Sequence, residues 1–480
     1  QAVKGESIMC GIAGIFHLET AKPVDPARVH GMIDAMPHRG PDGTGLWTAP
    51  GVGLGHCRLS IIDLAGGAQP MANADASLIV SYNGEIYNFA EVRAELQAHG
   101  HKFRTHGDTE VILHAYRQWG EACVERFNGM FAFALYEAAT QSLWLVRDRL
   151  GVKPLHYAQV SDGSVIFGSE LKALLVHPLL RRAPDLSAVE DYIALGYVPD
   201  DACIVAGVKK LGAGEHLRLV RGRGMAAPRR WWDVSFADRS TAKPATLGEE
   251  LVALMRDAVK LRMVADVPLG AFLSGGVDSS SVVAMMAEQS ARAVKTCTIG
   301  FDVESLDERA HADHVARRFA TDHRTRIVSP DDYGLLDRIV GHFDEPFADA
   351  SALPTYRVCE LAREEVTVAL SGDGADEAFA GYRRHLFQHR GEGMRGLLPQ
   401  GLRGPLFGAL GRAYPKADWA PRFLRAKSTF QELAMSGSEA YARSVGFTSP
   451  ELRARLYGAE FARAVSGHRA EDRIVAAMDS

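Results

Sequence analysis

Met9-Cys10-Gly11-Ile12-Ala13-Gly14 is the stretch on which the reading of the fold turns. A cysteine directly after a methionine becomes the first residue of a chain once that methionine is removed. Its own α-amino group, with an intrinsic pKa of about 7.7–8.0, is then a base close to working pH. One residue thus supplies both nucleophile and general base. The plainer alternative is a small buried cysteine leading into the strand predicted over 11–16.

Working outward, four further segments bear on that choice. His38-Arg39-Gly40-Pro41-Asp42-Gly43 reads as a turn with a fixed arginine. Arg58-Leu59-Ser60-Ile61 puts a guanidinium at a strand end, where it forks onto a bound carboxylate or serves a structural ion pair. Asn83-Gly84-Glu85 follows the strand predicted over 78–82. There, an amide and a glycine N–H could form an oxyanion hole or a tight hairpin turn. Gly107-Asp108-Thr109-Glu110 opens the helix predicted over 109–118, so Asp108 is a helix cap or a ligand for an ammonium group.

In this order and with these gaps, the segments resemble the glutaminase domain of class II amidotransferases, with the nearest likeness to the asparagine synthetase family. The likeness runs from Met9 to about residue 195. It implies an N-terminal αββα sandwich of the N-terminal-nucleophile hydrolase type over 10–220. It also implies that Cys10 attacks the glutamine side-chain amide, with Asn83 and the Gly84 N–H stabilising the oxyanion. Arg58 would pair with the glutamine α-carboxylate. Asp108 and the backbone near Ile61 would hold the α-amino end, with Glu85 alongside. Residues 1–8 would block the Cys10 amine, so the expectation is that Met9 is the true start.

Leu273-Ser274-Gly275-Gly276-Val277-Asp278-Ser279-Ser280 joins an apolar run over 267–273 to a helix predicted over 279–289. Small residues let backbone N–H groups close on phosphate oxygens, and a following helix N-terminus favours anions. Ser279 and Ser280 add hydroxyl donors, and Asp278 can hold Mg²⁺ against phosphates. No lysine follows the glycines, so this is not a kinase-like P-loop. Strand–loop–helix alternation through this half argues for a doubly wound parallel sheet. Its domain is expected over 245–480, with the boundary in the Gly- and Pro-broken stretch 220–249.

The loop resembles the PP-loop of ATP pyrophosphatases. A second loop, Ser371-Gly372-Asp373-Gly374-Ala375-Asp376-Glu377, reads by itself as a solvated acidic turn. The family likeness implies that Ser371 and Gly372 touch the nucleotide and that Asp373 supports adenylate formation. Asp376 and Glu377 would help with metal or substrate, and Ile299 would give backbone contacts to adenine. Residues 344–346 and 351–354 would lie near the acceptor. The implied reaction activates a carboxylate, that of aspartate or a relative, with ATP and Mg²⁺. Ammonia from glutamine then displaces AMP.

The 480 residues are 47% apolar and 24% charged, with a formal net charge of -5. That balance gives no electrostatic case for nucleic acid. Arg383, Arg384, Arg395, Arg403 and Arg412 read as a solvated surface. None of the six cysteines forms a C-x-x-C pair, which argues against zinc or dithiol chemistry and fits a cytoplasmic location. No apolar run reaches the roughly 18 residues of a membrane helix. The oligomeric state is open, a homodimer being the arrangement considered.

The family's C-terminal Arg-Pro-Phe-Leu-Asp-like stretch and its lysine are not found. Lys416 and Lys427 sit in no matching context. Residues 391–415 read as interrupted and 453–480 as surface helix, so the second domain reads as truncated. Four other readings stand beside the leading one. The first is a related amidotransferase serving an exopolysaccharide or secondary pathway. The second is a β-lactam-synthetase-like cyclising enzyme, which needs no nucleophilic cysteine. The third is a tRNA-modifying PP-loop protein, disfavoured by acidity, and the fourth a regulatory pseudoenzyme.

Overall fold

The computed structural model describes residues 9–303, 305, 307–329, 333–415 and 426–479. Residues 1–8 and Lys416 lie outside the described residues. Two compact units emerge. The first takes the chain up to Ala183 with Asp200–Asp344 and Ala350–Gly372; the second takes Pro184–Pro199, Glu345–Asp349 and Asp373–Ser480.

The first unit begins with twelve strands. In chain order they are β1 (Gly11–His17), β2 (Gly43–Ala49), β3 (Val52–Arg58), β4 (Met71–Ala72), β5 (Leu78–Ile86) and β6 (Gly129–Glu137). There follow β7 (Ser142–Arg147), β8 (His156–Gln159), β9 (Ser164–Gly168), β10 (Val208–Lys210), β11 (Glu215–Val220) and β12 (Arg229–Arg230). They form two sheets, ordered β10-β8-β9-β1-β3-β2 and β12-β11-β7-β6-β5-β4.

Successive strand side chains face opposite ways, and this sorts the core. From β1, Ile12 and Phe16 enter the apolar layer between the sheets, where they meet Leu54, Leu145 and Phe167. Ala13 and Ile15 point outward onto Val29, Met32 and Ile33 of the helix Pro26–Asp34. Asp25 caps that helix by accepting from the Ala27 N–H, with Pro26 at its first position. From β5, Ile79 joins the middle layer, whereas Val80 and Tyr82 face Leu96, Val111 and Ala115. These belong to the helices Phe89–Ala98 and Thr109–Trp119. The layering is the expected helix–sheet–sheet–helix sandwich, and a fully buried side chain such as Phe16 contributes about 1.5–3 kcal/mol to it.

The hairpin-turn alternative for Asn83-Gly84 is overturned. Both lie inside β5, opposite Ala132 and Phe131 of β6. The strand runs four residues further than predicted because pairing with β6 continues through them.

A third sheet holds β13 (Leu269–Phe272), β14 (Lys295–Phe301), β15 (Asp322–Val328) and β16 (Val368–Leu370), ordered β15-β14-β13-β16. Every pairing is parallel. The helices Val277–Gln289, Arg309–Arg318 and Ala352–Arg363 lie between its strands in sequence. The order reverses at β13, with β14 on one side and β16 on the other. A parallel sheet binds ligands beyond the carboxyl ends at such a switch point, and both glycine loops begin there.

In the second unit, the stretch expected to be interrupted is helical, as Arg383–Arg395 and Gln400–Ala413. Pro405 lies inside the latter helix, where it has no backbone N–H to donate. Three arginines read as surface residues are buried: Arg395, Arg403 and Arg453. Arg403 donates to the carbonyls of Leu433 and Met435. Arg453 lies between Glu190, at 2.9 Å, and Glu471, at 2.6 Å. Asp191 takes His468 at 2.7 Å and Arg473 at 2.9 Å. Among the described residues, no helix is long and apolar enough to cross a membrane.

Candidate active site

Cys10 immediately precedes β1. Its sulfur accepts from the Leu59 N–H at 3.3 Å, and the thiol reaches the Leu59 carbonyl at 3.4 Å. Burial pushes the thiol pKa up, while the Leu59 backbone, Lys153 and Arg58 pull it down. Cys10 lines a cavity of about 390 Å³ with Arg58, Ile61, Asn83, Gly84, Glu85 and Asp108. The structure therefore brings every predicted residue of the first set to one place.

Among the described residues, two donors in this cavity meet no protein acceptor. Asn83 is 1% exposed, and its Nδ2 is buried without a partner. The Gly84 N–H follows from strand alternation. On the same edge of β5, the Tyr82 N–H donates to Gln69 Oε1 and the Ile86 N–H to Asp108 Oδ2. Gly84 lies between them on that edge, and no acceptor meets its N–H among the described residues. The position demands glycine: a Cβ would stand 2.2 Å from the Met130 carbonyl oxygen.

Asp108 precedes the helix Thr109–Trp119 but makes no side-chain cap bond. Its carboxylate turns to β5 instead, accepting from Tyr82 Oη at 2.7 Å and the Ile86 N–H at 3.0 Å. Burial raises its pKa against those hydrogen bonds. Burial and the neighbouring Asp108 push Glu85 up to about 7. Arg58 meets no protein carboxylate among the described residues. Its two terminal nitrogens donate to the carbonyls of Leu64 and Asp63, at 3.1 and 2.8 Å. A guanidinium held by neutral carbonyls keeps its charge available to a ligand.

Sequence reasoning missed Lys153. It lines the cavity and is buried, which draws its pKa down to about 8 against the pull of Glu85. The Asp148 carboxylate orders its loop by accepting from the N–H groups of Leu150, Val152 and Lys153. Asp148 and Gly151 were a readable turn signal, but where the lysine points was not. Sequence reasoning also missed Glu170. It accepts from His38 at 2.9 Å, from Lys172 at 2.8 Å and from Arg39 Nε. Arg39 in turn donates to the Cys10 carbonyl at 3.1 Å. Lys172 also pairs with Asp344 at 3.1 Å.

At the parallel sheet, the loop from Leu273 to Ser280 is tightly closed. The Ser274 N–H donates to Ser279 Oγ and the Gly276 N–H to Ser274 Oγ, both at 3.2 Å. Ser280 Oγ is buried and meets no partner among the described residues. A Cβ on Gly372 would lie 2.7 Å from the Ser279 nitrogen, so the two glycine loops approach closely. Asp278 is in the first turn of Val277–Gln289, and Ile299 is in β14. Ser371 and Gly372 belong to the first unit, and Asp373 and Asp376 to the second. Among the described residues, no group of three or more His, Cys, Asp or Glu gathers to hold a metal ion.

Comparison with known proteins gives two family matches. A glutamine amidotransferase domain matches residues 9–232, and asparagine synthase matches residues 250–475. The chain is 39% identical over 419 residues to a putative asparagine synthetase [glutamine-hydrolyzing] 2 of Methanocaldococcus jannaschii, covering 82% of this chain and 79% of that one. It is 36% identical over 413 residues to asparagine synthetase [glutamine-hydrolyzing] 1 of Bacillus subtilis, covering 82% of this chain and 65% of that one. The chain thus spans about two thirds of the Bacillus relative. The solved glutamine phosphoribosylpyrophosphate amidotransferase of Bacillus subtilis aligns over 71% of this chain and 94% of that one, with 16% identity and a TM-score of 0.36.

Proposed function

Because the chain belongs to the glutamine-hydrolysing asparagine synthetase family, we propose that it frees ammonia from glutamine at Cys10 and uses it to amidate an ATP-activated carboxylate, aspartate first. One observation carries the first half. Among the described residues Asn83 Nδ2 meets no acceptor, and by strand alternation the Gly84 N–H lies on the same open edge of β5 as those of Tyr82 and Ile86, in the cavity that Cys10 lines. A buried donor left without a partner costs about 1–3 kcal/mol, and a ligand oxyanion relieves that cost.

Once the residues before Cys10 are removed, Cys10 Sγ attacks the glutamine amide carbon and the freed Cys10 amine takes the thiol proton. The carbonyl oxygen gathers charge beneath Asn83 and Gly84. That proton then passes to the departing nitrogen, and water hydrolyses the thioester. Arg58 pairs with the α-carboxylate, and Asp108, the Ile61 backbone and Glu85 take the α-amino end. Asn83→Ala is expected to lower the glutaminase kcat by about 10²–10³-fold with little change in KM for glutamine. Steady-state kinetics would check it, and an unchanged kcat would remove Asn83 from the oxyanion site.

The second half rests on the closed Leu273–Ser280 loop, where Ser280 Oγ awaits an acceptor, and on the close approach of Gly372. ATP would lie there as substrate, with its phosphates against the loop of Leu273, Ser274, Gly275, Gly276, Asp278, Ser279 and Ser280. Ser371, Gly372 and Ile299 would touch the nucleotide, and Asp373 would serve adenylate formation. Asp278 and Asp376 would hold Mg²⁺, which neutralises phosphate charge when bound. The Cys10 cavity also reaches Phe272, Val368 and Ala369, which supports an internal route for ammonia. Six free cysteines support a cytoplasmic location, and a homodimer is the assembly we propose.

The test supplies glutamine, ATP, Mg²⁺ and aspartate and follows all products. Glutamate, asparagine, AMP and pyrophosphate are expected in equal amounts. ADP with phosphate would exclude the pyrophosphatase reading, and AMP formed with another carboxylate but not aspartate would replace the acceptor. Gly372→Ala, whose Cβ must displace Ser279, is expected to raise the KM for ATP by about tenfold or more.

A further inference from the structure

Asp266 lies in the half of the chain that matches asparagine synthase, three residues before β13, yet both of its visible contacts are to the loop beside Arg58. Its N–H donates to the Ile61 carbonyl at 2.9 Å. Its Oδ2 accepts from the Asp63 N–H at 2.8 Å. Asp63 has φ +51° without being glycine, a left-handed conformation uncommon outside glycine that aspartate adopts where hydrogen bonds support it.

Every polar group of Asp63 is engaged. Its carbonyl receives Arg58 at 2.8 Å and the Gly67 N–H at 3.0 Å. Its carboxylate accepts from the Gly66 N–H at 2.8 Å, the His106 N–H at 2.7 Å and the Gly107 N–H at 3.2 Å. Asp63 therefore ties the Arg58 guanidinium to the segment leading into Asp108. These are the two groups proposed to hold opposite ends of the glutamine backbone. Only its N–H is held by the other half of the sequence, and Asp266 holds it.

We infer that Asp266 is a positioning residue for glutamine recognition: it fixes the left-handed Asp63, and through it sets Arg58 and Asp108 at their working separation. The inference rests on the proposed glutamine reading of Arg58 and Asp108. The chain from 266 runs straight into β13 and the loop from Leu273, and Pro268 is itself held by the N–H groups of Thr367 and Val368 through its carbonyl. The glutamine pocket is thereby set against the frame of the parallel sheet rather than against its own domain alone.

The test measures the dissociation constant of L-glutamine by calorimetry, on the full chain with Cys10→Ala so that nothing turns over. Asp266→Ala is expected to weaken binding by about tenfold. Asp266→Asn keeps an acceptor oxygen and is expected to stay within about threefold of the parent. Arg58→Ala should weaken binding at least as much as Asp266→Ala. Unchanged affinity in Asp266→Ala beside a weakened Arg58→Ala overturns the inference and leaves the glutamine reading standing. Equal losses in Asp266→Ala and Asp266→Asn, with equal drops in the urea midpoint, also overturn it, because a general loss of fold is then sufficient. If Arg58→Ala binds as the parent does, the glutamine reading falls and this inference with it.

Discussion

A chain beginning at Cys10, with that residue replaced by alanine, is expected to release glutamate from glutamine about 10³-fold or more slowly than its parent. The sulfur rests between the N–H and carbonyl of Leu59, and the two unmet donors of β5 share its cavity. Alanine removes the only atom that forms the covalent bond and leaves those donors facing water. Residues that act as one unit lose most of their effect when the nucleophile goes. The same variant should still form AMP and pyrophosphate when ammonium salts replace glutamine, because the Leu273–Ser280 loop does not depend on the thiol. Product analysis with each nitrogen source checks both. Undiminished glutamate release would end the glutaminase proposal.

Glu170→Leu is expected to lower the unfolding free energy of the first unit by about 3–5 kcal/mol. Glu170 is 7% exposed and Arg39 6% exposed, so the leucine would strand a buried guanidinium. His38 would lose its acceptor at the same time, and Lys172 would keep only Asp344 of its two carboxylates. Burial alone would raise the Glu170 pKa, but the hydrogen bonds from His38 and Lys172 and the charges of Arg39 and His38 outweigh it. They hold the carboxyl well below the usual carboxylate range. A depressed folded-state pKa stabilises fully above the unfolded value, near about 4.3 for glutamate, and that contribution drains away as pH falls below it. Denaturant titrations at pH 7 and pH 3 check this. The gap between parent and variant should be wide at pH 7 and narrower at pH 3, and an equal gap at both would exclude the charge as its source.

Much of the site was legible because its chemistry needs particular residue types at strand ends and turns. Cys10, Arg58 and Asp108 stand at such places, Asn83-Gly84 lies within β5, and the sandwich brings them into one cavity. The parallel sheet was legible from apolar runs that stop at glycine loops. The partners of these residues were not. Glu170 and Lys153 are ordinary charged residues until folding buries them, and no local period marks a carboxylate that will meet three donors 131, 132 and 2 residues away in sequence. The same limit applied to Arg395, Arg403 and Arg453. An arginine destined for buried carbonyls or carboxylates looks, residue by residue, like one bound for solvent. The end of β5 was read four residues short, because pairing along β6 continues through Asn83-Gly84, a dipeptide that by itself also suits a turn.

The ion pairs of Glu190 and Asp191 bear on how such a chain could be recombined with its relatives. The two family matches meet between residues 232 and 250, and a crossover there would leave each β-sheet whole. It would nevertheless send Glu190 and Asp191 off with one parent and Arg453, His468 and Arg473 with the other. A hybrid cut at that seam thus inherits acids and bases never matched to each other, and the portable module is residues 373–480 taken together with residues 184–199 and 345–349.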